Sequence, residues 1–251
     1  MTIVTDTREV DMAAWKTAPR PLVLAHRGAS AEHPENTLPA FARALEVGAG
    51  ALELDLHFTA DHIPVVHHDP SALRITGHDV RIDSQPLSEV RSWDAGQGAR
   101  IPTFAEVLDA FPGALLNVDT KGATDDNLRR LLALIEGAGV TQRVLLAGFQ
   151  SARLWRLSQL GYDGPKGMGR SDVLRRLAVS RRLRGVRRAQ IPLSLGITRL
   201  DSARVIRRLQ TSGVSVDFWV VNDPTQATRL VALGADGIIT DDPATIVEAL
   251  R

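Results

Sequence analysis

The chain has 251 residues, of which 44% are hydrophobic and 24% charged, with a formal net charge of +1. This balance is typical of a globular protein with a buried core, and it excludes a disordered, collagen-like or coiled-coil chain. The small net charge gives no overall field that would attract nucleic acid, and without cysteine the chain has no disulfide or thiolate chemistry. The sequence has neither a signal-peptide pattern nor an apolar stretch of about 18 residues, which predicts a cytoplasmic protein.

Short aliphatic runs alternate with segments of helical periodicity along the chain. The clearest helical segments begin at Thr37, Leu128 and Ala203. A strand followed by a helix about every 25–30 residues is typical of βα units, and at this length a single-domain α/β fold of the TIM-type (β/α)8 barrel is favoured. The predicted strands are Leu22–His26, Ala51–Leu56, Pro64–His68, Leu115–Thr120, Val144–Phe149, Gln190–Leu195, Phe218–Val221 and Gly237–Thr240, with a short sixth strand near Lys166–Met168.

Three features depart from a regular alternation of strand and helix. The link between the second and third predicted strands is shorter than the dozen residues of a parallel crossover, so we predict a hairpin turn at Thr59–His62. Residues 70–102 form a long excursion that ends at the helix start IPTFAEVL, and long loops at the top of a barrel usually shape the substrate site. We assign residues 1–20 to an N-terminal extension and residues 21–251 to the barrel domain.

The polar residues that carry chemistry cluster in the first half of the chain. All seven histidines lie between residues 26 and 78, and His26 and His68 end predicted strands, where a barrel presents its catalytic side chains. Between them, Glu53 and Asp55 are two residues apart and therefore point to the same face of a strand. Two carboxylates inside an apolar run need a neutralising cation, and oxygen ligands favour Mg²⁺, Ca²⁺ or Mn²⁺ over zinc.

Further charged residues complete the pattern. Asp119 supplies a third carboxylate for the metal, and Lys121 follows it at the same-face spacing, where it suits a phosphate. Arg27 offers a planar fork for phosphate oxygens. Histidines can transfer protons near neutral pH, and a metal and cationic side chains can stabilise negative charge. Together these groups indicate metal-assisted phosphodiester cleavage.

The motifs also resemble a known family. The stretch HRGASAEHPENTLPAFARALEVGAGALELDLHFTADHIPVVHHDP resembles the N-terminal signature of the glycerophosphodiester phosphodiesterases, with its HRG, its PENT and its E-x-D strand. The resemblance continues through IPTFAEVL, NVDTK, VLLAGF, FWVVND and GADGIITDDP, from about Pro21 to Pro243. Members of this family are TIM barrels that use a divalent metal to cleave glycerophosphodiesters to sn-glycerol 3-phosphate and an alcohol. The resemblance therefore implies a hydrolase of lipid and glycerol metabolism.

The resemblance also implies a mechanism and a role for each matching residue. A hydroxyl of the glycerol moiety would attack phosphorus and expel the alcohol, and water would then open the cyclic phosphate; which histidine acts first stays open. Trp219 either packs in the core or forms one wall of the opening through which the substrate enters, and the resemblance to the family favours the second position. The implied assignments are His26 and His68 as the acid–base pair, Arg27, Lys121 and Trp219 around the substrate, and Glu53, Asp55 and Asp119 at the metal.

Three positions depart from the family pattern. Asp119 stands where Glu is usual, Gly148 where Ser is frequent, and Val220 where Thr is usual. Because Asp is one methylene shorter than Glu, ligation by Asp119 would be less direct, or its strand would lie closer to the metal. The other two departures leave the acid, the base and the metal ligands in place, so they bear on substrate preference more than on activity.

Several polar residues near these motifs have local explanations. Asn36 and Thr37 precede the first predicted barrel helix, and we predict that both cap it. Asp223 and Asp241 are interpreted as loop and cap residues. His67 points to the strand face opposite its neighbour at position 68, and we expect a structural role for it.

An arginine-rich segment is the last feature of note. Between Arg170 and Arg188 there are eight arginines and a single acid, Asp172. A solvated barrel helix is the interpretation we favour, and a weak contact with an anionic lipid surface, or steering of the substrate, is the alternative. No aromatic residue interleaves the arginines, which disfavours nucleic acid.

The sequence predicts a small-molecule glycerophosphodiester as the substrate. One alternative on the same fold is a lysophospholipase D that acts on lysoglycerophospholipids. The other alternative is a catalytically silent barrel that binds phosphodiesters. A silent barrel is expected to lose a histidine or a carboxylate, and this chain keeps them.

Overall fold

The computed structural model describes residues 14–179, 185 and 187–251. The strands are β1 Leu22–His26, β2 Ala51–Phe58, β3 Pro64–Val66, β4 Leu116–Thr120, β5 Val144–Ala147, β6 Lys166–Gly167, β7 Arg187–Pro192, β8 Ser194–Leu195, β9 Thr198–Arg199, β10 Ser215–Trp219 and β11 Gly237–Thr240. The helices are α1 Ala14–Thr17, α2 Leu38–Glu46, α3 Leu73–Thr76, α4 Leu87–Val90, α5 Phe104–Ala110, α6 Asp125–Gly137, α7 Ser151–Gln159, α8 Arg170–Ala178, α9 Ala203–Gln210, α10 Pro224–Ala232 and α11 Pro243–Ala249.

Parallel strands in the described part of the chain close into an eight-stranded barrel. Around the barrel the order is β1, β2, β4, β5, β6, β7, β10 and β11, and β11 pairs with β1 again. The predicted TIM-type barrel is therefore confirmed. The register places His26 of β1 opposite Glu53 of β2, and Asp55 opposite Asp119 of β4, so that the polar strand ends are neighbours around the barrel.

Strand β3 is the one exception to parallel pairing in this sheet among the described residues. It runs antiparallel to the end of β2, with Leu56 opposite Val66, and its turn is closed by a hydrogen bond from Thr59 N to Ile63 O of 3.0 Å. This confirms the predicted hairpin. Because the hairpin reverses the chain at once, the residues after β3 return to the carboxyl end of the barrel.

The helices begin at capping residues and bury one apolar face against the barrel. The Thr37 side chain accepts from Ala40 N at the start of α2, and a capping box opens α5. Phe41 and Phe104 are fully buried in the core cluster between these helices and the strands. The predicted helix starts at Thr37 and Ala203 are confirmed to within one residue, whereas α6 begins earlier than predicted, at Asp125.

Two strands lie a few residues before their predicted positions. We expected Gln190–Leu195 and Phe218–Val221, whereas β7 and β10 begin at Arg187 and Ser215. The reason is a charged pair inside the barrel: the fully buried Arg188 and Asp217 are joined by two hydrogen bonds, with Arg188 Nε 2.6 Å from Asp217 Oδ2. These charges interrupt the apolar runs by which the strands were predicted.

The residues before β1 close the amino end of the barrel. The Trp15 ring is buried against Leu22, Leu24 and other strand residues, its Nε1 donates to Arg143 O at 3.0 Å, and Arg188 lies over the ring at 5.6 Å. Of the predicted extension 1–20, residues 1–13 lie outside the described residues. No helix in the described part of the chain is long and apolar enough to cross a bilayer.

The excursion over residues 70–102 folds as a small unit beside the barrel mouth. It holds α3, α4 and a 3₁₀ turn at Ile82–Ser84, around a core that includes Val90, Trp93 and Ile101. Arg74 of α3 donates to both Asp69 and Glu35. The excursion is thereby attached to the two loops that follow β1 and β3.

Candidate active site

All the residues that the sequence predicted for the site line one cavity of about 210 Å³. The cavity lies where β1, β2, β4 and β10 end, as expected for a TIM-type barrel. The predicted residues in its wall are His26, Arg27, Glu53, Asp55, His68, Asp119, Lys121 and Trp219, and they are joined there by Asn117, Gly148, Phe149, Met168, Gln190, Val220 and Ile239.

His26 is held by a carboxylate from the opposite end of the chain. Its Nδ1 lies 2.6 Å from Asp241 Oδ1, and Asp241 also accepts from Asn222 Nδ2 at 2.8 Å and from Ser30 Oγ at 3.2 Å. Burial alone would lower the pKa of His26, but the hydrogen bond to Asp241 and the charge of Glu53 together raise it. With Nδ1 engaged, Nε2 is the nitrogen left for proton transfer.

His68 has a similar partner of its own. Its Nδ1 lies 2.7 Å from Asp69 Oδ1, and Asp69 is held on its other oxygen by Arg74 Nε at 2.5 Å. Burial opposes ionisation of Asp69, but Arg74 and His68 outweigh it and lower the pKa of this carboxyl to about 2. His57 fixes the backbone, because its Nε2 lies 3.1 Å from His68 O. Two histidines, each oriented by a carboxylate, therefore face one cavity.

The three predicted metal-binding carboxylates are buried together in the cavity wall. Burial, followed by the charge of Asp55, raises the pKa of Glu53 to about 8. Burial also raises the pKa of Asp119. A bound cation would offset both the repulsion between these carboxylates and the cost of removing them from water.

Two cationic side chains already contact this cluster. Lys121 Nζ lies 2.7 Å from Asp119 Oδ2 and 3.1 Å from Asp55 Oδ1. Arg27 donates from its backbone N to Glu53 Oε2 at 3.1 Å, and its Nε lies 3.4 Å from Asp55 Oδ2. Both cations therefore lie beside the acids and line the same cavity.

The carboxylates of Glu53, Asp55 and Asp119 suit a hard divalent cation, although their side chains are not arranged around a common point where one would bind. Three buried carboxylates provide oxygen ligands, and burial together with the charges of Asp55 and Asp119 raises the pKa of Glu53. Within residues 14–179, 185 and 187–251, however, no three His, Asp or Glu side chains form a ready-made metal cluster. The ammonium group of Lys121 contacts both Asp55 and Asp119.

The opposite side of the cavity is apolar. The rings of Phe149 and Trp219 meet edge to face with centroids 5.4 Å apart, and Lys121 Nζ lies 5.8 Å from the centroid of the Phe149 ring. Trp219 is thus at the mouth of the cavity rather than in the core between barrel and helices, and Phe149 is 59% exposed. A substrate in the cavity would meet charged groups on one side and aromatic rings on the other.

Of the local interpretations of polar residues, the cap predicted at Asn36 was wrong, and the one for Asp241 was correct only in part. Asn36 does not cap α2: its backbone is left-handed, with φ of 58°, and its Nδ2 donates to Asp55 Oδ2 at 3.2 Å. Asp241 lies in a loop, as interpreted, but it does not cap a helix, and its side chain binds His26 instead. The neighbouring Asp242 caps α11 instead. Asn36 and Asp241 are therefore positioning residues for the site.

The other local interpretations were correct. Thr37 and Asp223 cap α2 and α10. His67 is buried outside the cavity, with its Nε2 3.2 Å from Ser71 O. The sequence reasoning overlooked Asp69, which directly follows His68 and could have been noticed from that adjacency. Only the fold brings Asp241 to His26.

Comparison with known proteins places the chain in a family. The sequence profile of the Glycerophosphoryl diester phosphodiesterase family matches residues 26–245. A glycerophosphodiester phosphodiesterase from Caldanaerobacter subterraneus subsp. tengcongensis is 30% identical over 254 residues, covering 92% of this chain and 98% of its own. A human lysophospholipase D is 25% identical, covering 91% of this chain and 85% of its own. A phosphodiesterase structure from Oleispira antarctica, in complex with the product sn-glycerol-3-phosphate, has a TM-score of 0.78 at 24% identity, covering 94% and 98%.

The barrel and these matches define the class of the protein, a phosphoric diester hydrolase on a TIM-barrel fold. The family profile spans most of the chain, and it includes both histidines and all three carboxylates of the cavity. The chain belongs to the glycerophosphoryl diester phosphodiesterase family.

Proposed function

We propose that the protein hydrolyses glycerophosphodiesters to sn-glycerol 3-phosphate and an alcohol, with His26 and His68 as the acid–base pair. The observation that carries the proposal is the pairing of each histidine with a carboxylate, at 2.6 and 2.7 Å, in the wall of one cavity. Two histidines that are held in this way can give and take a proton on either side of a phosphorus atom.

The proposal includes a divalent cation, Mg²⁺, Ca²⁺ or Mn²⁺, held by Glu53 and Asp55 with Asp119 beside them. When bound, such a cation stabilises negative charge that develops on phosphate oxygens. The buried, all-oxygen character of the three carboxylates supports this assignment.

The roles of the two histidines follow from their surroundings. Asp241 and Glu53 raise the pKa of His26, which stabilises its protonated form relative to that of an unperturbed histidine. We therefore assign His26 as the group that donates a proton to the leaving alcohol oxygen. His68 accepts the proton of the attacking glycerol hydroxyl as the new P–O bond forms and the bond to the leaving group breaks. In the second step water opens the cyclic phosphate, and the two histidines exchange roles.

Groups in the cavity wall suit each part of the substrate. Arg27 and Lys121 can bind the phosphate oxygens. At the floor of the cavity, Asn117 Oδ1 and Gln190 Nε2 are buried and without a hydrogen-bond partner among the described residues. An acceptor and a donor left in this state can bind glycerol hydroxyls, and such bonds would favour glycerol over an apolar group.

A lysophospholipase D activity is the second candidate. It is supported by the apolar side of the cavity, because the exposed Phe149 beside Trp219 offers a path along which an acyl chain could leave the mouth. It is also supported by the 25% identity to a human lysophospholipase D. The two activities share the same chemistry at phosphorus and differ only in what the glycerol carries.

The proposal is tested by turnover of glycerophosphocholine and lysophosphatidylcholine with Mg²⁺, Ca²⁺ or Mn²⁺ and with EDTA. Glu53→Gln should lower kcat by at least about 10³-fold and weaken metal binding, which is measured separately by calorimetry. Glu136→Gln, an exposed glutamate on α6, is the matched control and should behave as the wild type. Turnover that persists in EDTA, or an active Glu53→Gln variant, would contradict the metal assignment.

A further inference from the structure

A second cavity, outside the catalytic site, lies between helices α7 and α8. It has a volume of about 440 Å³, and its walls include Ser151, Trp155 and Ser158 from α7 and Arg175 and Arg176 from α8. We call this cavity the α7–α8 groove. Of the predicted Arg170–Arg188 segment, residues 180–184 and 186 lie outside the described residues, and the groove is built from the others.

The groove is strongly cationic. Lys166, Arg175, Arg176 and Arg187 all line it, and Asp172, 3.9 Å from Arg175, is the only acid in its described wall. Burial, and to a smaller extent repulsion from the positive charge of Arg187, lowers the pKa of Lys166 to about 8. An anion in the groove would relieve this repulsion.

An exposed aromatic ring, Trp155, lines the groove, and two further exposed apolar side chains lie on and just after α8 outside its wall. Trp155 is 64% exposed, and Leu174 and Val179, on and just after α8, are 46% and 62% exposed. These three are half of the large hydrophobic side chains that stand exposed in the described part of the chain. An exposed tryptophan and aliphatic side chains among arginines are typical of proteins that bind a membrane surface, since the ring suits the headgroup region and the arginines suit anionic lipids.

We propose that the α7–α8 groove docks on an anionic phospholipid bilayer, with a lipid phosphate held by the arginines and Trp155 inserted among the headgroups. The charge complementarity and the exposed Trp155 in the groove wall together favour a lipid over a soluble phosphate, which would not bury the tryptophan ring. This surface also adjoins the catalytic mouth, because Arg170 N at the start of α8 donates to Phe149 O at 2.9 Å.

The position next to the mouth has a consequence for substrate supply. Glycerophosphodiesters and lysophospholipids are both released from bilayers, so a docked enzyme would meet them where they are formed. This part of the inference rests on the proposed function, whereas the docking itself does not.

The test is co-sedimentation of the full chain with vesicles, in EDTA so that no turnover is needed. Vesicles of phosphatidylglycerol and phosphatidylcholine should bind the protein at low salt, and pure phosphatidylcholine vesicles should not. The double variant Arg175→Gln/Arg176→Gln should partition about tenfold more weakly. Its matched control is Arg129→Gln/Arg204→Gln, which removes two exposed arginines of α6 and α9 outside the groove.

The fluorescence of Trp155 provides a second, independent measurement of binding. On binding, its fluorescence should shift to the blue in the wild type, and Trp155→Ser should lose both the shift and part of the affinity. Thermal unfolding of each variant shows whether it has kept its fold. The proposal is overturned if phosphatidylglycerol vesicles do not bind the protein, if both arginine double variants bind equally well, or if inorganic phosphate changes the Trp155 signal while vesicles do not. None of these results depends on whether the protein hydrolyses glycerophosphodiesters.

Discussion

The contact between His26 and Asp241 allows the acid–base assignment to be tested with one substitution. In Asp241→Asn, a neutral amide of nearly the same shape replaces the carboxylate 2.6 Å from His26 Nδ1. A hydrogen bond to a charged partner contributes about 2 kcal/mol, which corresponds to roughly a 30-fold loss of kcat/KM if it acts in the transition state. The single amide oxygen of an asparagine can keep one of the bonds from Asn222 and Ser30, and the backbone N of residue 241 still donates to Asn222 Oδ1, so the loop should stay in place.

The pH profile separates an effect on His26 from a general loss of structure. Asp241 raises the pKa of His26, so its removal lowers that pKa. Because His26 must be protonated to donate to the leaving group, the alkaline limb of kcat/KM should move to lower pH. Asp242→Asn is the matched control: asparagine caps a helix as well as aspartate does, so activity and profile should stay at wild-type values.

The assay is hydrolysis of glycerophosphocholine from about pH 5 to pH 9, spanning the ordinary pKa of histidine. If Asp241→Asn kept both the wild-type kcat/KM and the wild-type alkaline limb, the reasoning about His26 would be refuted. An equal loss in Asp242→Asn would point to the loop rather than to the carboxylate.

Three further predictions concern stability and substrate binding. Arg188→Met leaves Asp217 buried without its partner and should cost about 3–5 kcal/mol in urea unfolding, whereas adding Asp217→Leu should recover most of it; equal stability of both variants would contradict this. The pKa of Asp69 is lowered from 3.8 to about 2, so its carboxylate stabilises the fold above pH 3.8, a contribution lost as the pH falls toward 2. Asp69→Asn should therefore make the loss of unfolding free energy between neutral pH and pH 2 smaller by about 1 kcal/mol, a small effect because solvent screens the partly exposed side chain. An unchanged midpoint of acid unfolding would argue against the contact of Asp69 with Arg74 and His68. Phe149→Ala should raise KM about fivefold at nearly constant kcat, because the ring is expected to bind the substrate. A fall in kcat alone would contradict this, since it would indicate a role in the chemical step rather than in binding.

The residues that the sequence could predict are those whose signal is local. Glu53 and Asp55 share a strand face because of their spacing, and His26 and His68 follow apolar runs that end at the barrel mouth. Each of these four lies within or next to a short motif. The parallel barrel was predictable for the same reason, since it follows from the repeated alternation of strand and helix.

The residues that the sequence could not predict depend on contacts between distant segments. Asp241 is 215 positions from His26, and it stands next to Asp242 and a proline, in a pattern that indicates a helix cap. The cap is real, but it uses Asp242. Asn36 also precedes a helix, yet its left-handed backbone turns the side chain toward β2 instead.

Strand boundaries were least predictable where charges are buried. Arg188 and Asp217 neutralise each other inside the barrel, and each would be unfavourable there alone. A pattern of single residues cannot show that two such charges meet. The predicted strands therefore began after these residues, at the next apolar run.

The most direct test of the central claim is to identify the products of glycerophosphocholine by phosphorus NMR, with a divalent cation present. Cleavage as proposed releases choline and sn-glycerol 3-phosphate, so a single phosphomonoester signal with that identity should appear, and His26→Asn should abolish it. If the phosphate left with choline as phosphocholine, or if the His26→Asn variant formed product at the wild-type rate, the proposed chemistry at this site would be contradicted.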